Sequence, residues 1–112
     1  MKIKKYCFDI DGVICNTKIN DYKNSKPILK SIKKINYLYE KGHKIIIFTA
    51  RYMGRSNEKK SIAKKLGYTL TKKQLKKWGV KYDQLIFGKP SYDLFIDDKA
   101  LFFKKNWHKL LK

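Results

Sequence analysis

The sequence predicts a single α/β domain whose short, mostly parallel sheet is covered by helices on both faces. Three observations carry this. Strand-like and helix-like segments alternate along the 112 residues in the order β-α-β-α-α-β-β-α, the pattern of a parallel sheet joined by right-handed crossovers. The run from Ile45 to Phe48 is apolar on both faces, as a central parallel strand requires. Every strand-like run ends in polar residues, which a parallel sheet collects along one edge.

Ile3 to Ile10 reads as the first strand, and the polar stretch from Asp11 to Asn24 as a loop or small flap. Ser25-Lys26-Pro27 offers a capping hydroxyl and an early proline for a helix. Ile28, Leu29, Ile32, Ile35, Leu38 and Tyr39 recur along it at helical spacing, and Gly42 ends it. His43 to Thr49 is the second strand. After a loop from Arg51 to Asn57, Ser56 or Asn57 caps a second helix that turns Ile62, Ala63 and Leu66 inward and stops at Gly67. Thr71 and Gln74 have capping-box spacing and predict a further short helix carrying Leu75 and Trp78, ended by Gly79. Leu85 to Phe87 is a third strand and Tyr92 to Ile96 a fourth. Phe103, Trp107, Leu110 and Leu111 mark a closing helix. Trp78 and Trp107 are expected in the core rather than in a dimer contact.

The chain has 28 basic and 9 acidic residues, a formal net charge of +19. Such a charge draws polyanions, nucleic acid among them. A compositional origin competes with that reading, because only Arg51 and Arg55 are arginine and the lysines form no tract. Abundant lysine, isoleucine, asparagine and tyrosine are what an AT-rich genome encodes. Cys7 and Cys15 make no CxxC pair and no disulfide framework. Cys7 is expected as a buried packing residue and Cys15 as a free thiol in a loop. No signal-peptide pattern opens the chain, and no apolar stretch approaches the ~20 residues that span a bilayer. The expectation is a cytoplasmic protein without membrane insertion.

The strand ends carry the chemistry. The first gives Asp9 and Asp11, one residue apart on the same side of a strand, with Gly12 free to turn the backbone. The second gives Thr49 and Arg51, the third Lys89, and the fourth Asp97 and Asp98. Singly, each has a plain structural account: Asp-x-Asp-Gly starts turns, Asp97 and Asp98 can cap the last helix, Thr49 is a β-branched strand residue, and Lys89 is one lysine among many. Together they put four carboxylates, a hydroxyl and an ammonium in one crevice, using four of only nine acidic residues. Clustered carboxylates repel unless a cation intervenes, and oxygen-only ligands select Mg2+. His43 and His108 lack the spacing of a zinc site and are expected to be structural or at the surface.

These motifs, in this order, resemble those of the haloacid dehalogenase superfamily of phosphohydrolases: Asp9-Ile10-Asp11-Gly12-Val13, then Thr49, then Lys89 in Gly88-Lys89-Pro90, then Asp97-Asp98. The resemblance covers most of the chain, with Val13 where many members have threonine. It implies a single Rossmann-like three-layer sandwich over residues 1–112 and a Mg2+-dependent phosphatase. In that scheme Asp9 is the nucleophile and Asp11 the general acid and base, while Thr49 and Lys89 hold the phosphoryl group. Mg2+ would sit on Asp9, the Asp11 carbonyl and Asp97, with or without Asp98. Arg51 lies beyond the core motif and is assigned to the leaving group. Similar small phosphatases act on sugar phosphates of surface-polysaccharide synthesis.

Relatives often carry a cap domain after the first motif or between the second and third. Neither gap here holds the ~40 residues that a separate fold needs. The expected site is open, closed by a second subunit or by the substrate itself, with residues 14–23 and the tip Tyr52–Arg55 as specificity elements. A phosphorylated metabolite is the expected substrate. The alternatives are a phosphatase of nucleic-acid ends and a catalytically silent binding module of the same fold.

Overall fold

The computed structural model describes residues 2–101 and 103–111. Its sheet has three strands, β1 (Lys5–Phe8), β4 (Lys44–Thr49) and β5 (Gln84–Phe87), in the order β1-β4-β5. Both pairings are parallel, with Phe8 opposite Ile47 and Thr49 opposite Phe87. A two-residue hairpin of β2 (Cys15–Asn16) and β3 (Lys26–Pro27) forms the predicted flap. Helix α1 (Leu29–Glu40) packs on β4, α2 (Lys60–Lys77) packs on β5, and the single turn α3 (Trp107–Leu110) touches α1. No helix among the described residues is long and apolar enough to cross a membrane.

The core follows the apolar periodicity. Ile45 and Ile47 alternate along β4, and Ile32, Ile35 and Leu38 repeat along α1. They join Phe8, Ile10, Ile14, Leu75, Val80 and Trp107 in one cluster, with Trp78 packed at its margin. His43 is buried, accepts the Lys4 amide on Nδ1 at 3.0 Å and meets the Tyr6 ring edge-on, which is a structural role.

Four expectations fail. First, the two helices expected around Gly67 are one helix of 18 residues, in which Ile62 and Leu66 face solvent. A glycine usually weakens a helix interior, but here it admits the Tyr52 ring. A Cβ at position 67 would lie 2.3 Å from Cδ2 of Tyr52 and 3.2 Å from the Phe87 ring. Gly67→Ala, a change that ordinarily strengthens a helix by about 1 kcal/mol, is therefore expected to destabilise this one by about 1–3 kcal/mol through overpacking. Urea unfolding decides it, and a variant as stable as the parent would refute the packing account.

Second, Tyr92 to Ile96 forms no strand. Leu94 and Ile96 are 77% and 89% exposed. The segment is engaged instead by the Lys89 ammonium, 5.3 Å from the Tyr92 ring centre and 5.5 Å from that of Phe95, and just before it the Ser91 amide donates to Glu58. Third, the closing helix is one turn that excludes Phe103. Fourth, α1 begins at Leu29 rather than Ser25, because the Ser25 hydroxyl is engaged with Thr17 and Arg51.

The cysteines are also exchanged relative to expectation. Cys7 is exposed on β1, where β4 is the one partner strand among the described residues, and Cys15 is fully buried in the flap.

Candidate functional site

The carboxyl ends of β1, β4 and β5 converge on one edge. β1 ends at Phe8 and delivers Asp9. The carbonyl of Ile10 then accepts amides from Val13, Ile14 and Cys15, and Gly12, at φ +87°, closes the turn that presents Asp11. β4 ends at Thr49. β5 is followed by Gly88 at φ +101°, and the Lys89 amide donates to the Thr49 carbonyl at 3.1 Å. That backbone bond brings the Lys89 ammonium to 3.4 Å from Oδ2 of Asp9.

Asp9 and Lys89 influence one another. Burial pushes the Asp9 carboxyl up, while Lys89 and the Ile10 amide bonded to Oδ1 pull it down without cancelling the effect. For Lys89, burial alone would lower the pKa, but the Tyr92 hydroxyl and the Asp9 carboxylate outweigh it and the group ends raised.

Arg51 is the centre of the arrangement and is 1% exposed. Its Nε donates to Oδ2 of Asp11 at 3.0 Å and its Nη2 to Oδ1 at 3.0 Å, a bidentate clamp. Nη1 donates to Thr71 at 3.2 Å and to Gln74 at 2.5 Å, and Nη2 also reaches Ser25. The guanidinium thus ties the end of β1, the flap and α2 together, with the Tyr22 ring 5.0 Å away. Thr49 is fully buried, and its hydroxyl accepts the Arg51 amide at 3.0 Å. Arg51, expected at the leaving group, gives its side-chain nitrogens to protein acceptors.

Thr71 and Gln74 were read as a helix cap because a hydroxyl and an amide three residues apart suit one. The same spacing puts both on one face of a continuous helix, where they receive a guanidinium. Two uncharged polar residues on an otherwise buried face were the available signal. Thr17 and Ser25, which bond Asp11 and Arg51, left no comparable trace.

A cavity of about 320 Å³ opens over this edge, lined by Asp9 and Asp11, by Thr17, Asn20 and Tyr22 of the flap, and by Arg51. Asp9, Asp11 and Arg51 meet at this cavity, and Lys89, through Asp9, and the buried Thr49, through the Arg51 amide, adjoin them at the same edge, as the sequence suggested. Asp97 and Asp98 are not. Both are exposed, and Asp97 accepts the Lys99 amide at 2.9 Å. Asp97 nonetheless lies within electrostatic reach of Cys7, two residues before Asp9. Among the described residues no three His, Cys, Asp or Glu side chains form a metal-binding group. For an oxygen-preferring divalent ion the fit is partial: Asp9 and Asp11 are suitable donors at the cavity, and a third carboxylate does not reach them.

No protein-family model matches the chain, and neither does any curated protein. Among solved structures it is similar to the crystal structure of a structural-genomics target from Vibrio cholerae. The two share 26% identity with a TM-score of 0.82, over 97% of this chain and 96% of that one. The small α/β fold with its short parallel sheet is thus shared over nearly the full length, and that protein carries no functional name.

Proposed function

We propose that the protein is a Mg2+-dependent phosphatase of the haloacid dehalogenase type that hydrolyses a small phosphate monoester, with a sugar phosphate or similar metabolite as the substrate class. The observation that supports this most is the placing of Asp9 and Asp11, which follow β1, at one cavity, with Lys89, which follows β5, 3.4 Å from Asp9. In this reading Asp9 attacks phosphorus and the ester P–O bond breaks. Asp11 gives its proton to the leaving oxygen, then takes one from the water that hydrolyses the aspartyl-phosphate. Lys89 balances charge on the phosphoryl oxygens, Thr49 contributes its hydroxyl, and Arg51 keeps the Asp11 carboxylate aimed. A Mg2+ held by Asp9, the Asp11 carbonyl and Asp97 would supply further neutralisation of the phosphoryl charge.

For Asp97 to join Asp9 at such an ion, Tyr92–Ile96 would have to move. Tyr92, Leu94, Phe95 and Ile96 are exposed, and β4 is the one strand paired with β1 among the described residues. Laid alongside β1, the segment would become the fourth strand of a Rossmann-like three-layer sandwich and would carry Asp97, with Asp98, toward Asp9. The small cavity and the shortness of the flap suit a compact substrate and a site without a cap domain.

The test is hydrolysis of p-nitrophenyl phosphate by purified protein. Turnover is expected with millimolar Mg2+ and is expected to vanish with excess EDTA. Turnover that survives EDTA, or none on a broad panel of phosphate esters with Mg2+, would count against the proposal.

A second reading, action on nucleic-acid ends, draws on a groove of about 430 Å³ lined by Lys30, Lys33, Lys34, Tyr37 and His108. Oligonucleotide affinity that falls steeply with salt would favour it.

A further inference from the structure

The geometry points to Arg55 as a specificity residue that takes a second anionic group on the substrate, carried by the leaving portion. This deepens the phosphatase reading and rests on it for placing the phosphoryl end at Asp9.

Arg55 is exposed, in the turn Gly54–Ser56 that follows β4. Its guanidinium lies 4.8 Å from the Tyr52 ring centre and 5.6 Å from that of Tyr22, and the two rings are 4.8 Å apart. Nη2 donates to the Asn20 carbonyl at 3.1 Å. Tyr22 and Asn20 both line the cavity that contains Asp9 and Asp11. Arg55 therefore stands beside two residues of the cavity wall.

An arginine held against two aromatic rings and a carbonyl loses less freedom when it binds than one that projects freely into solvent. One bond to Asn20 leaves Nε and Nη1 without a partner among the described residues. Nη2 has a second proton besides the one given to Asn20, and with Nε or with Nη1 it makes a two-donor edge of the kind that matches a carboxylate or a phosphate.

The supporting backbone is costly, which argues that the position is not incidental. Tyr52 is at φ +67° and Asn20 at φ +59°, a conformation that side chains other than glycine rarely adopt. Tyr52 is kept there by the niche that Gly67 leaves in α2. Asp21 of the flap accepts from Asn24 at 3.0 Å, and no ion pair to Arg55 is formed among the described residues.

Two compounds of the same skeleton test this: 3-phosphoglycerate, with a carboxylate, and glycerol 3-phosphate, with a hydroxymethyl group in its place. The protein is expected to favour 3-phosphoglycerate about tenfold in kcat/KM, the worth of one exposed charge-assisted contact. In Arg55→Gln that ratio is expected to fall to near one, and in Arg55→Lys to an intermediate value. Equal losses on both compounds in Arg55→Gln, or no preference in the parent, would overturn the inference. The same comparison by calorimetry in Asp9→Asn protein separates the two readings. A carboxylate preference in binding without turnover in the parent keeps the Arg55 assignment and removes the phosphatase. Absence of that preference removes the assignment whatever the turnover.

Discussion

Asp9→Asn is expected to reduce phosphate-ester turnover by about 10⁴-fold or more, the usual loss when a covalent nucleophile is removed. The same variant is expected to be more stable than the parent near neutral pH without divalent cation. The Asp9 pKa is raised in the folded protein because burial outweighs Lys89 and the Ile10 amide. A raised folded value means that folding favours the protonated form. The associated stability is fully present below the ordinary carboxylate pKa of about 3.9, and it is lost as pH rises through the higher folded value. Asparagine imitates the neutral form at every pH. Parent and variant should therefore converge in acid and separate above it, with the parent lower. Urea unfolding in EDTA between pH 3 and pH 8 measures this. Curves that stay parallel, or a variant less stable at pH 7, would show that burial does not govern Asp9.

Removing the Arg51 side chain has the larger effect on folding. Arg51→Met is expected to cost about 3 kcal/mol, the low end for breaking a buried ion pair, because the Asp11 side chain is still 28% exposed. The loss arises from an abandoned carboxylate and from the Thr71 and Gln74 side chains, both buried and deprived of their donor. Arg51→Lys should rescue little, since one ammonium cannot hold Asp11 in two places and also reach α2. Should Arg51→Met be too unstable to purify, Gln74→Leu and Thr71→Val remove one acceptor each and are expected to cost about 1 kcal/mol apiece. Lysine restoring full stability, or methionine costing under about 1 kcal/mol, would refute the assignment of Arg51 as the keystone.

The parts of the fold that could be read from the chain are those where burial is periodic. The Ile45–Phe48 run and the Ile32, Ile35, Leu38 spacing each admit one solution, and both elements formed as expected. Gly67 misled because glycine has two uses in a helix: ending it, or letting a neighbour approach its backbone. Only the Tyr52 ring, distant in sequence, distinguishes them. Tyr92 to Ile96 has strand-like composition, yet composition does not record the competing pull of Lys89 on the two rings. At the site, Asp9, Asp11 and Lys89 were legible because a parallel sheet forces strand ends to one edge. The hydroxyls and amide around Arg51 were not, since a buried arginine and a solvent-facing one are written with the same letter.

The uncovered side of β1 and the neighbouring apolar stretch would ordinarily invite self-association, because an open strand edge is a template for another chain. Two copies of this protein meet instead as strongly like-charged particles, and few of the lysines on either have an acidic partner to offset them. Mutual repulsion of that size is felt over roughly 8 Å at physiological ionic strength and shrinks as salt is added. The surplus of lysine thus gives the chain colloidal protection at an edge that would otherwise invite another copy.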